Sequence, residues 1–118
     1  MRKIYHLATC TTCQGIIKDL KPGKDFEMQD IKTEPITEAQ LDRMKEKAGS
    51  YEALFSRRAL KYREWELNKK KLTEADYKQL ILEEYTFLKR PVILIDEDIF
   101  VGNAPAVVAA AKERMGKG

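Results

Sequence analysis

The chain has 118 residues, enough for one hydrophobic core without covalent staples, so a single domain spanning 1–118 is expected. With 43% hydrophobic and 35% charged residues it is too apolar for a disordered chain and too charged for a membrane protein. A formal charge of +3 does not argue for direct nucleic-acid binding, no apolar run approaches the ~20 residues of a membrane span, and the first residues lack a secretion signal's apolar segment, so the cytoplasm is the expected compartment and no membrane partner is expected.

Lys3 to Leu7 reads as a short strand. The pair Cys10 and Cys13 follows at once, and then Ile16, Ile17 and Leu20 set a helical pattern that Pro22 and Gly23 should stop near Lys21. Asp25 to Ile31 alternates Phe26, Met28 and Asp30 against their neighbours, which predicts a second strand. Thr37-Glu38-Ala39-Gln40 matches a capping box, with Ile36 and Leu41 as its apolar staple; the helix it starts carries Leu41, Met44 and Ala48 on one face and ends at Gly49.

Tyr51 to Lys71 leans helical and is basic, with Tyr51, Leu54, Phe55, Leu60, Tyr62, Trp65 and Leu67 as apolar anchors. Thr73-Glu74-Ala75-Asp76 repeats the capping signal, and Tyr77, Leu80, Ile81, Tyr85 and Leu88 predict a helix to about Tyr85 or a little beyond. Val92-Ile93-Leu94-Ile95 has the continuous apolar character of a buried strand, and Asp96-Glu97-Asp98 should turn it into Ile99-Phe100-Val101 as an antiparallel hairpin. Asn103 is placed to cap a last helix carrying Val107, Val108 and Ala111. The order is βαβ, helices, then ββα. That is an α/β thioredoxin-like fold with a mixed four-stranded sheet and a helical insertion at about 36–88, not a second domain.

The two cysteines lie three positions apart, and in a reducing compartment such a pair is catalytic or metal-binding more often than a structural staple. A thiol attacks as its thiolate, and a helix N-terminus or nearby cation favours that form. Cys10, at the end of the strand, would face the unpaired amides of the following helix and is the better nucleophile. Cys13, in the first turn, could then attack an adduct on Cys10 and act as the resolving thiol. A zinc site is disfavoured, because tetrahedral zinc needs four ligands and only His6 and carboxylates remain to complete one. Burial as inert small core residues is the other reading, and the adjacent helix start argues against it.

The segment Ile4-Tyr5-His6-Leu7-Ala8-Thr9-Cys10-Thr11-Thr12-Cys13, with Lys89-Arg90-Pro91-Val92-Ile93 and Val101-Gly102-Asn103-Ala104-Pro105, resembles the arsenate reductase (ArsC)-like family, which includes the redox regulator Spx. The resemblance runs over nearly the whole chain. It implies that Cys10 is the nucleophile, that Arg90 stabilises an oxyanion or thiolate, and that Pro91 is a cis-proline facing the active cysteine. Thr11, Thr12, Pro91 and Asn103 then border the site. The family's arginine in the insertion falls on Leu54-Phe55-Ser56-Arg57-Arg58, where Ser56, Arg57 and Arg58 compete and Arg58 is favoured.

Two departures separate the sequence from glutaredoxin-linked arsenate reductases: Leu7-Ala8 stands where those have Asn-Pro, and Asn103 where they have an arginine. An oxyanion adduct wants bidentate cationic donors, so losing an arginine weakens the expectation for arsenate itself. The second cysteine suits a pair that closes on itself. The resemblance therefore implies a thiol-disulfide oxidoreductase without a resident cofactor, served by an external thiol, glutaredoxin or thioredoxin as electron donor. The alternative it implies is an Spx-like regulator that senses redox state and binds RNA polymerase without catalysis.

His6 could relay protons to Cys10, but a lone strand histidine is more often hydrogen-bonded structure. The basic stretch from Arg57 to Arg63 and the run Lys69-Lys70-Lys71 could face an acidic partner or nucleic acid; the interspersed Glu52, Glu64, Glu66 and Glu74 favour a solvated face.

Overall fold

The computed structural model describes residues 2–116 and divides into two compact units, one formed by the segments up to Pro35 and from Arg90 onward, the other by Ile36–Lys89. In the first unit, strand β1 (Arg2–His6) leads into helix α1 (Thr11–Leu20) and strand β2 (Glu27–Asp30). Strands β3 (Val92–Ile95) and β4 (Asp98–Val101) and the closing helix α5 (Pro105–Arg114) complete it.

The sheet order is β2-β1-β3-β4. β1 runs parallel to β2, with Ile4 opposite Met28, and antiparallel to β3, with Ile4 opposite Ile93. β3 and β4 form a hairpin whose last pair is Ile95 with Asp98, so its turn is only Asp96-Glu97, with Asp96 at φ 56. This βαβ–ββα order with one parallel and two antiparallel pairings is the thioredoxin-like fold.

Periodicity explains the core of this unit. Ile4, Ile93 and Ile95 share one face of the sheet, because directly paired residues and residues two apart point the same way. They cluster with Leu20, Phe26 and Ala111, and Ile16 from α1, Val108 from α5 and Met115 just past the end of α5 pack against the cluster. On α1 the same spacing puts Cys13, Ile16 and Leu20 along one stripe, and Cys13 is fully buried as its first member. Lys112 reaches Asp19 at 3.3 Å from α5 to α1, and Arg114 reaches Asp98 at 2.7 Å from α5 to the hairpin.

β2 departs from the alternation read in the sequence. Met28 is 40% exposed and Gln29 is 2% exposed. β2 is an edge strand bonded only to β1, and the register Tyr5 with Gln29 sends the Gln29 side chain to the buried Tyr5 face. Its amide is satisfied there by the Glu34 carbonyl at 3.0 Å, which makes burial of that polar group affordable.

The second unit carries helices α2 (Glu38–Ala48), α3 (Leu60–Glu64) and α4 (Glu74–Glu83), with three short 3₁₀ turns. Both predicted capping boxes form: Thr37 accepts from the Gln40 amide and Thr73 from the Asp76 amide, each reciprocated by the partner's side chain. α2 ends on Gly49 at φ 100, a left-handed conformation that glycine adopts without steric cost. α4 stops at Glu83, two residues before the expected end, and Tyr85–Phe87 forms a 3₁₀ turn held by the Glu84 carboxylate on Thr86. Phe55 centres an aromatic cluster, stacked on Phe87 at 5.1 Å and tilted against Tyr77 at 4.9 Å.

The stretch from Tyr51 to Lys71 is broken, not continuously helical: a 3₁₀ turn at Glu52–Leu54, the five residues of α3, and a second 3₁₀ turn at Leu67–Lys69. Glu66 at φ 54 interrupts the helix after Trp65. Leu60, read as an apolar anchor, is 81% exposed.

Candidate active site

Cys10 is the N-cap residue of α1, extended at φ −89 and ψ 114. The turn before it closes through the Cys10 amide donating to the Leu7 carbonyl at 3.0 Å, and the helix begins with the Gln14 amide donating to the Cys10 carbonyl at 3.0 Å. The strand therefore hands over to the helix at the sulfur. Cys10 is half-buried, Cys13 is buried, and both are free thiols.

Burial alone would raise the Cys10 pKa, but several groups outweigh it. The Cys13 amide, the Cys13 thiol, the Arg90 charge and the Thr12 amide all favour the thiolate, and the net result is a Cys10 thiol held below its ordinary value. The Thr12 and Cys13 amides act on the sulfur without closing a short capping bond of the kind Thr37 makes. Cys13 shows the opposite balance. Burial first, then the neighbouring Cys10 charge and the hydrogen bond to Cys10, push it up to about 11 against the lowering pull of the Leu7 amide and Arg90. The two proton affinities are driven apart, with Cys13 keeping its proton to higher pH and able to donate it to the Cys10 sulfur.

Arg90 is half-buried and its charge reaches both sulfurs. It precedes Pro91 across a cis peptide bond, and the buried Pro91 carbonyl accepts from the Gly102 amide at 2.9 Å, tying the start of β3 to the end of β4. Thr11 and Thr12 are exposed on the first turn of α1.

Asn103 is exposed but does not cap α5. The N-cap is Ala104, with no side-chain bond, and Pro105 opens the helix with its ring already at the helical φ and no amide in need of a partner. His6 ends β1, and its carbonyl accepts from the Ile31 amide at 2.9 Å.

The three insertion candidates lie in the second unit. The Ser56 amide donates to the Phe87 carbonyl at 2.6 Å. Arg57 is held by the Glu52 carboxylate at 2.7 Å and the Tyr77 hydroxyl at 2.9 Å, which raises its pKa and ties it to side chains of its own unit. Arg58 is exposed.

Gln14 escaped the sequence reading. Its side-chain amide reaches back one helical turn and donates to the Ala8 carbonyl, inside the turn that presents Cys10. A polar residue four positions after an N-cap cysteine is the only signal, and many surface positions share it.

Known proteins share this fold. Residues 5–111 match the ArsC family. No curated protein matches the chain. Among solved structures it is similar to an arsenate reductase (ArsC) related protein from Brucella melitensis, 27% identical, covering 92% of this chain and 92% of that one at a TM-score of 0.68. It is also similar to SACOL0876 from Staphylococcus aureus COL, 26% identical, covering 93% of this chain and 97% of that one at 0.74. The arsenate reductase from Vibrio cholerae, 18% identical and covering 92% of this chain and 95% of that one at 0.77, shares the fold.

Proposed function

The chain belongs to the ArsC family, and from that premise we propose that it is a thiol-disulfide oxidoreductase in which Cys10 is the nucleophile and Cys13 the resolving thiol. The observation that carries this reading is the placement of the pair, Cys10 at the N-cap of α1 and Cys13 buried one turn behind it, which holds Cys10 toward the thiolate and pushes Cys13 up to about 11.

The reaction follows from that asymmetry. The Cys10 thiolate attacks one sulfur of a substrate disulfide, forming a mixed disulfide and releasing the other substrate half as a thiolate that takes up a proton. Burial is the largest cause that raises the Cys13 pKa and it persists, but once Cys10 is no longer an anion its charge and hydrogen bond no longer add to it, and the Leu7 amide and Arg90 still favour ionisation. Cys13 then loses its proton and attacks the Cys10 sulfur, closing the Cys10–Cys13 bond and releasing the second substrate thiol. The substrate gains two electrons and the protein loses two. An external thiol reductant, such as glutathione or a dithiol protein, restores the pair.

Arg90 steadies the Cys10 thiolate and the negative charge that develops on sulfur during each transfer. Asn103 in place of a second cation, and an extra cysteine in place of reliance on an external one, favour a disulfide over an arsenic oxyanion as substrate. The test is single-turnover reduction of a glutathione-labelled peptide. Cys10→Ser should abolish it, and Cys13→Ser should accumulate an adduct on Cys10 that is visible by mass. Full activity in the Cys10→Ser protein, or the absence of the trapped adduct, overturns the reading.

A further inference from the structure

From Arg57 to Lys71 the chain carries seven basic and two acidic residues, a net charge of +5, whereas the rest of the molecule, with fifteen basic and seventeen acidic residues, carries −2. The sequence offered Glu52, Glu64, Glu66 and Glu74 as a balancing set. The structure commits three of the four to groups other than Arg58, Lys61 and Arg63. Glu74 uses both carboxylate oxygens on the Tyr51 and Glu52 amides, at 2.7 and 3.0 Å. Glu52 holds Arg57 at 2.7 Å, and Glu66 holds Lys69 at 3.1 Å.

Large apolar side chains are exposed in the same stretch. Of the three exposed large hydrophobics among the described residues, two are Leu60 at 81% and Trp65 at 38%. One exposed leucine is ordinary on any protein surface. Here it stands at the start of α3, with exposed Arg58 and Arg63 close in sequence and the Lys61 ammonium 6.0 Å from the centre of the Trp65 ring. Trp65 also makes an edge contact with Phe87 at 5.5 Å, which ties the indole to the aromatic cluster.

We propose that the α3 segment, with Leu60 and Trp65 as apolar anchors among Arg58, Lys61 and Arg63, is a docking surface for an acidic protein segment in which apolar side chains alternate with carboxylates. Charge complementarity selects the acidic partner, and the leucine selects protein over nucleic acid, since a phosphate backbone offers nothing to an aliphatic side chain. Five residues of helix give too narrow an apolar face to lie in a lipid headgroup layer. This surface is independent of the chemistry proposed for Cys10.

Trp65 is the chain's one tryptophan, so its emission reports occupancy of the surface directly. The whole protein is titrated at low salt with three probes: a short synthetic peptide of leucines spaced among glutamates, polyglutamate of equal length, and an oligothymidylate. The expected result is saturable change of Trp65 emission with the leucine-containing peptide, weaker binding of polyglutamate, and about tenfold loss of peptide affinity in Leu60→Ser, in keeping with removal of one buried aliphatic contact. Leu60 lies almost wholly in solvent, so this variant keeps the fold. Arg63→Glu should weaken the peptide as well. The proposal is overturned if no probe binds, if polyglutamate binds as well as the peptide and Leu60→Ser changes nothing, or if the oligonucleotide binds most tightly.

Discussion

Two side chains of one kind, three residues apart, end with opposite proton affinities because they occupy different places on the same helix. Cys10 sits ahead of the first turn, where backbone amides are still without helical partners; Cys13 is the first residue of the buried stripe that continues through Ile16 and Leu20. The rate of alkylation by iodoacetamide, followed by mass at each sulfur, should rise with a midpoint below the ordinary thiol value for Cys10 and remain negligible for Cys13 until the pH nears 11. Arg90→Gln removes a cation that favours the thiolate and should move the Cys10 midpoint upward. Gln14→Ala, by releasing the Ala8 carbonyl and loosening the turn that aims the sulfur at the Thr12 and Cys13 amides, should shift the same midpoint upward with far-ultraviolet dichroism unchanged. The cysteines were legible as candidates because their residue type and spacing carry the chemistry, whereas Arg90 was named only by the family resemblance. Gln14 was not, since its part depends on where a carbonyl in a preceding turn happens to point.

At the scale of elements, local rules held where the interaction is local. Both capping boxes and the glycine end of α2 involve groups within a few residues of each other, and they form as read. Replacing Thr37 by Ala should cost about 1 kcal/mol, measured by urea unfolding, with a similar cost at Thr73. Local rules failed where a competing local signal or a neighbour in space decides. Asn103 lost the cap position to Ala104 because Pro105 fixes the helix start one residue later. The helical lean between Tyr51 and Lys71 was overridden by pairing of that stretch with chain distant in sequence: Phe55 bridges Leu88, the Ser56 amide bonds the Phe87 carbonyl, and the Lys89 amide bonds the Leu54 carbonyl at 2.8 Å.

At the scale of the molecule, the sheet and its register determine which groups meet. Ile93, fully packed in the core cluster, should cost about 2–5 kcal/mol when replaced by Ala, because the cavity cannot be refilled between a strand and two helices. The thiols link folding to pH with opposite signs. Cys10, with its folded pKa lowered, stabilises above the ordinary thiol value of 9.0, a contribution lost as pH falls through its folded value. Cys13, raised, favours the fold below 9.0, and that contribution disappears as pH rises through about 11. Urea titrations between those limits should show the wild type losing stability with pH more steeply than Cys13→Ser, which has no thiol to ionise there. Among the described residues no helix is long and apolar enough to cross a membrane.

The amino-acid sequence by itself determined the strand and helix order, the two capped helix starts, the hairpin and the placement of a cysteine pair where a strand meets a helix, because each depends on periodicity or on groups a few residues apart. Only the tertiary structure decided that Cys13 is buried and that the Arg90 charge reaches both sulfurs, that Arg57 is tied to Glu52 and Tyr77, and that Leu60 faces solvent. Those outcomes depend on burial and on charges from distant parts of the chain, and neither quantity is written in any local window.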